Sequence, residues 1–206
     1  MRKIYNITRN IHYLWKRLTN QYYALINKMK FILLGVNYGS RCIVHGHLYL
    51  KIGKNAFIEI GDNLCFLCGR ALNPLSRNSG GVICVNENGL LKIGCDVGIS
   101  SAVIWVHESI TIGNNVNVGA NSILMDSDAH SLEYLDRRVL AKDVIAKKNK
   151  PIVIEDDVLI GVNCIILKGV TIGSHSVIGA GSVVVHSIPP DCIAAGNPAK
   201  VIKYLK

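Results

Sequence analysis

Residues 154–184 read Ile154-Glu155-Asp156-Asp157-Val158-Leu159, Ile160-Gly161-Val162-Asn163-Cys164-Ile165, Ile166-Leu167-Lys168-Gly169-Val170-Thr171, Ile172-Gly173-Ser174-His175-Ser176-Val177, Ile178-Gly179-Ala180-Gly181-Ser182-Val183, and then Val184. An aliphatic residue returns every six positions without a miss, and glycine follows it directly at Gly161, Gly173 and Gly179. The fourth residue after each aliphatic is small or moderate in size, as at Val158, Cys164, Val170, Ser176, Ser182 and Ile188. An earlier block holds the same phase through Val106, Ile112, Val118 and Leu124, with Gly113 and Gly119. Weaker copies stand at Ile52-Gly53, Ile60-Gly61 and Ile93-Gly94.

A period of six matches neither the 3.6 residues of a helical turn nor the two of a strand. It matches a short strand plus a tight turn, three of which close a triangular coil of about eighteen residues. The aliphatic residue points inward and stacks on its copies in neighbouring coils. The glycine falls near the corner, where a bulky side chain or a restricted φ is awkward. A sandwich of alternating strands does not hold one six-residue phase over so many repeats. The fold class predicted is mainly β, a parallel β-helix over residues 41–206, preceded by a helical segment over 1–40.

The chain has 206 residues, 50% hydrophobic and 18% charged, enough for one sizeable core. Aromatics make up only 6%, as expected of thin layers of β-branched residues. The net charge of +9 is unevenly placed: Met1 to Ile58 hold ten Lys/Arg and no Asp or Glu. Such a segment suits a membrane surface, an anionic glycan or a phosphorylated ligand; a nucleic-acid partner is not expected. No apolar run approaches the ~20 residues of a membrane span, and no signal peptide is evident. The seven cysteines form no paired framework, and Cys65 and Cys68 make a lone CxxC. Reduced thiols and a cytoplasmic location are expected.

In the N-terminal segment Ile4, Ile7, Ile11, Leu14, Leu18, Leu25, Met29 and Ile32 follow a three-four spacing, the stripe of an amphipathic helix. Two readings stand. The helix docks on the open end of the β-helix and covers its exposed layer, or residues 1–34 contact an anionic membrane, as the basic residues and Trp15 allow.

The hexads break twice, over 69–82 and over the longer 127–151, where Asp126-Ser127-Asp128-Ala129-His130 leads into a basic stretch ending Lys147-Lys148-Asn149-Lys150. Insertions of this length on a solenoid are often functional. The repeat and this loop together resemble the hexapeptide-repeat acyltransferases, over about residues 45 to 203. Nearest in pattern are sugar O-acetyltransferases such as the galactoside, maltose and capsule-modifying enzymes. The resemblance implies a left-handed coil, acetyl-CoA as acyl donor, and a homotrimer with active sites between subunits.

The same resemblance makes His130 the general base. A sugar hydroxyl is a poor nucleophile, and an imidazole of near-neutral pKa can take its proton as the oxygen attacks the thioester. Asp128 is the candidate to orient the ring; a turn residue capping local N–H groups is the plainer reading. Gly161, Val162, Ala180 and Gly181 match positions along the pantetheine arm of CoA, with an N–H near Val162 as a candidate oxyanion donor. Lys200 and Lys203, close to Ala194-Ala195-Gly196-Asn197-Pro198-Ala199, match basic positions near the CoA phosphates. For Gly179 and Gly181 a purely structural corner role is equally open. Acceptor contacts fall on Ser100, Ser101 and His107, the last standing where related enzymes carry an acid. The histidines are scattered, and no metal is expected.

The function implied is acetyl transfer to a sugar hydroxyl in bacterial surface-polysaccharide or glycolipid assembly. Serine acetyltransferase, an amino-sugar N-acyltransferase and a non-catalytic hexapeptide scaffold are the alternatives.

Overall fold

A computed structural model describes residues 2–76 and 80–205, with only the backbone of 2–8 and 10–12. The early stripe positions Ile4, Ile7 and Ile11 therefore lie outside the described side chains. Among the described residues, helix α1 (Arg2–Leu33) comes first and twenty short strands follow, interrupted by α2 (Tyr134–Arg137) and α3 (Leu140–Ala146).

The strands fall in turn onto three sheets. The first sheet stacks β1 (Asn37–Tyr38), β4 (Phe57–Ile60), β7 (Leu90–Ile93), β10 (Ser109–Ile112), β13 (Ile152–Ile154) and β16 (Thr171–Ile172). The second stacks β2 (Ile43–Gly46), β5 (Cys65–Cys68), β8 (Gly98–Ser100), β11 (Asn117–Val118), β14 (Leu159–Ile160) and β17 (Val177–Ile178), then β19 (Cys192–Gly196) and β20 (Ala199–Tyr204). The third stacks β3 (Leu48–Ile52), β6 (Gly81–Val85), β9 (Val103–Val106), β12 (Ile123–Met125), β15 (Ile165–Leu167) and β18 (Val183–Val184). Pairing is parallel except between β19 and β20, which close the sheet antiparallel. The chain is a left-handed parallel β-helix.

Registers align the hexad aliphatics into columns. On the first sheet Ile60, Ile93, Ile112, Ile154 and Ile172 stand one over another. On the second the column is Phe66, Ile99, Val118, Ile160 and Ile178. On the third it is Ile83, Ile104, Leu124, Ile166 and Val184. All fifteen are buried, and full burial of such a side chain stabilises by roughly 1.5–3 kcal/mol each. The small hexad residues Cys164, Ser176 and Ser182 are buried with them.

At the corners the division of labour differs from the sequence expectation. The glycines after the aliphatics do not supply the unusual φ; Asn115, Asn163 and His175, two residues further on, do so at φ +56 to +60. Asn and Asp tolerate the left-handed region better than other side chains. The glycine instead lets coils close on one another. A Cβ on Gly161 would stand 2.6 Å from the Ala180 nitrogen.

Helix α1 caps the open end, by the face the stripe leaves free. The outward carbonyls of the first coil need donors. Buried Asn27 Nδ2 donates to Val44 O (3.1 Å) and Gly46 O (2.8 Å), and Lys30 Nζ to Leu48 O (2.7 Å). Phe31 packs edge-on against Tyr38. Leu14, Leu18, Leu25, Met29 and Ile32 point to solvent instead. Docking on the open end holds, but the apolar stripe does not do the covering. Among the described residues no helix is long and apolar enough to cross a membrane.

Candidate active site

The long insertion leaves the β-helix where β12 ends and returns at β13. Its two stems pair antiparallel through Ser127 and Asn149, with Lys150 N–H donating to Asp126 O (2.9 Å) and Asp128 N–H to Lys148 O (3.0 Å). Asp126 fastens this base to the coil. Fully buried, its carboxylate accepts the N–H groups of His107 and Glu108, both at 2.7 Å. Burial pushes its carboxyl up, against those amides and that of Ser109, which pull it down. His107 and Glu108 are the whole corner between β9 and β10, so one acid ties the loop to the tightest corner beside it.

Ala129 then takes φ +62, steadied by its N–H donating to Ser127 Oγ at 3.0 Å, and the chain turns to present His130. The carboxylate against His130 is Asp143, carried on α3. His130 Nδ1 meets Asp143 Oδ2 at 2.6 Å, and Ser131 N–H donates to Asp143 Oδ1 at 2.7 Å. The His130 ring, the Ser131 amide and the nearby Arg137 charge hold the Asp143 carboxyl below the usual carboxylate range, against a smaller effect of burial. An ionised acceptor at Nδ1 requires the proton there, which leaves Nε2 with its lone pair. The ring is 69% exposed while Asp143 is 8% exposed: an open base on a covered support. Ser131 anchors the segment. Its Oγ donates to Asp136 Oδ2 (3.0 Å) and accepts from Glu133 N–H (3.1 Å), and Arg137 Nη1 donates to its carbonyl (2.6 Å).

Asp128, the orienting group expected from sequence, is placed otherwise. Its Oδ1 pairs with Lys168 Nζ at 3.3 Å, and its Oδ2 is buried without a hydrogen-bond partner among the described residues. The two residues line a groove of about 360 Å³ with Met125, Ser127, Leu167 and Val185. Asp143 was missed because its role needs α3 to fold back thirteen residues on. The available signal was a single acid within the basic stretch from Arg137 to Lys150.

His107 sits under the loop, its Nδ1 3.0 Å from Asn86 Nδ2 and 3.2 Å from Lys147 Nζ, its ring beside Trp105. Burial, and then the Lys147 charge, lower its pKa to about 4. It is neutral at pH 7 and positioned beside the loop. Ser100 lies on the second sheet in a shallow groove with Leu67, Asn117 and Leu159, at the edge leading to the third sheet. Ser101, expected as an acceptor contact, turns inward. Ser101 is fully buried, its Oγ donates to Leu67 O (3.3 Å), and it accepts Gly69 N–H (2.9 Å), so it holds the neighbouring coil in place.

Gly161-Val162 and Ala180-Gly181 form successive corners of the edge between second and third sheets, joined by Gly181 N–H donating to Val162 O at 2.8 Å. Gly181 has φ +74 and open space where a Cβ would be. The edge thus presents backbone and small side chains, as a narrow extended ligand requires. Lys200 and Lys203 follow on β20, both exposed. Lys200 pairs with Ala195, whose Cβ would lie 2.7 Å from a Cβ on Gly179. The cations thus stand near the end of this edge, and the residues fit a phosphorylated thioester carrier. His130 leaves from the other edge of the third sheet, so one chain does not bring it together with Gly161 and Gly181. Among the described residues no three His, Cys, Asp or Glu converge as metal ligands. A larger hollow, about 680 Å³, lies away from His130, between α1 and β2.

Residues 94–125 and 151–185 match the family model described as the hexapeptide repeat of succinyl-transferase. Over 97 residues, 47% of this chain, the sequence is 44% identical to a protein of Schizosaccharomyces pombe named as an acetyltransferase, of which the match spans 44%. Over 93 residues, 45% of this chain, it is 40% identical to the 2,3,4,5-tetrahydropyridine-2,6-dicarboxylate N-acetyltransferase of Staphylococcus aureus strain MRSA252, spanning 32% of that protein. The chain therefore covers less than half the length of these curated relatives. A solved galactoside acetyltransferase in complex with coenzyme A superposes with a TM-score of 0.53 at 29% identity, over 82% of this chain and 65% of that one. In repeat, coil and relatives together, the chain is similar to the hexapeptide-repeat acyltransferases.

Proposed function

We propose that the protein is an acetyl-CoA-dependent O-acetyltransferase acting on a sugar hydroxyl, in bacterial surface-polysaccharide or glycolipid assembly on the cytoplasmic side of the membrane. The observation that carries this reading is the His130–Asp143 pair, an exposed imidazole whose Nδ1 is 2.6 Å from a covered carboxylate. His130 Nε2 takes the acceptor hydroxyl proton as its oxygen attacks the thioester carbonyl. Asp143 supports the imidazolium that forms. When the tetrahedral intermediate collapses, the C–S bond breaks and the thiolate takes the proton back, leaving neutral imidazole, acetyl ester and free CoA. Acetyl-CoA supplies the activated acyl group. Gly161, Val162, Ala180 and Gly181 would lie along its pantetheine arm, with Lys200 and Lys203 toward its phosphates. His107 and Ser100 stand as acceptor contacts, with Lys147 added beside His107.

His130 and the small-residue edge lie on opposite borders of the third sheet. A homotrimer of side-by-side prisms would bring one subunit's His130 to a neighbour's edge and make each site shared. A peripheral membrane contact through residues 1–34 belongs to the same reading.

A second reading is transfer to an amine, favoured by the likeness to an N-acetyltransferase at 40% identity. That likeness covers 45% of this chain, so it speaks for the coils more than for the acceptor. Thiol release from acetyl-CoA, measured with paired glycosides and amino sugars, separates the two. Release with a glycoside that carries no amine supports ester formation. Release confined to amines supports the second reading, and silence with every acceptor contradicts both.

A further inference from the structure

Along α1, Leu14, Leu18, Tyr22, Leu25, Met29 and Ile32 recur at three- and four-residue steps and are each 51–61% exposed. Trp15 borders them at 67% exposure. The body is held by the opposite side of the helix, where Asn27 and Phe31 are buried and Asn27 bonds the first coil. The bonded carbonyls, Val44 O and Gly46 O, belong to the first strand of the second sheet. The stripe therefore points away from the coils, beyond the end of the stack. Among the described residues this apolar face is left uncovered, with Leu25 at its margin also lining the hollow between α1 and β2.

We propose that this stripe binds the surface of an anionic bilayer, with α1 lying in the interface rather than crossing it. Charge selects the partner. Residues 1–58 hold ten Lys/Arg and no acid, and exposed Arg17 and Lys28 flank the stripe. A second copy packed stripe to stripe would bring like charges together, whereas acidic headgroups neutralise them. Geometry agrees. Prisms packed side by side would all point their stripes the same way, toward one flat surface. Apolar side chains enter the acyl boundary while cations remain at headgroup depth. The inference rests on the membrane contact of the proposed function and names its face and its lipid: an enzyme held this way meets acceptors carried by the membrane.

The test is co-sedimentation of the full chain, without acetyl-CoA, with phosphatidylcholine vesicles containing or lacking phosphatidylglycerol. Expected is binding to the anionic vesicles that weakens with salt. In a Leu18→Ser, Leu25→Ser, Met29→Ser chain it should fall about tenfold or more, with melting temperature and sedimentation coefficient unchanged. Arg17→Gln with Lys28→Gln should weaken binding to anionic vesicles only. Absence of binding by the full chain would overturn the inference, as would serine variants that bind like the parent. A serine variant that dissociates into smaller species would overturn it too, by making the stripe a subunit contact.

Discussion

In the proposed transfer, Asp143 would make His130 usable by fixing which nitrogen carries the proton. Replacing it with Asn keeps the shape but offers the ring an amide in place of an anion. Asp143→Asn is expected to lower kcat on the order of 10²-fold or more with little change in the KM for acetyl-CoA. A drop confined to KM would remove Asp143 from this role. Asp128→Asn, which leaves the His130–Asp143 bond intact, is expected to cost less. His107 supplies a pH effect of determinate sign. Its pKa of about 4 in the folded corner compares with 6.5 ordinarily. Between those values the unfolded chain binds more protons, so stability rises with pH across the window and is lost on acidification through it. Urea midpoints at several pH values should show this slope, and His107→Gln should flatten it. His130 was legible in the sequence through the loop that carries it. Asp143 was not, because a turn at Ala129 and a short uncapped helix decide what reaches the ring.

Among elements, the coils were the most legible, since one inward aliphatic per hexad leaves a single way to stack. What glycine does at the corners was less so, for contact between coils is invisible along one chain. Two glycines separate the effects. Gly161→Ala places a Cβ 2.6 Å from the Ala180 nitrogen, and backbone must move, at a cost of about 3 kcal/mol. Gly181→Ala meets nothing within 4 Å but must hold φ +74, at a cost of about 1 kcal/mol. Equal losses in chemical denaturation would refute this division. Helix α1 shows the complementary lesson. Its periodicity announced an amphipathic helix, but not which face meets the body. The open end of a β-helix offers carbonyls as well as apolar side chains, and Asn27 and Lys30 answer the carbonyls.

Across the whole molecule, the proposed function lies where the solenoid departs from its period. The insertion carries His130 at one edge of the third sheet, and the small-residue corners lie at the other, closed by β19 and β20. Sequence placed both sets of residues but not the width of sheet between them, which only the folded coil defines. The central claim is that His130 removes the acceptor proton in transfer from acetyl-CoA. Its most direct test compares the parent and His130→Ala for CoA release with a glycoside that the parent acetylates, alongside CoA affinity by calorimetry. The expected result is turnover reduced on the order of 10²-fold or more with CoA affinity unchanged. Full turnover in His130→Ala would contradict it.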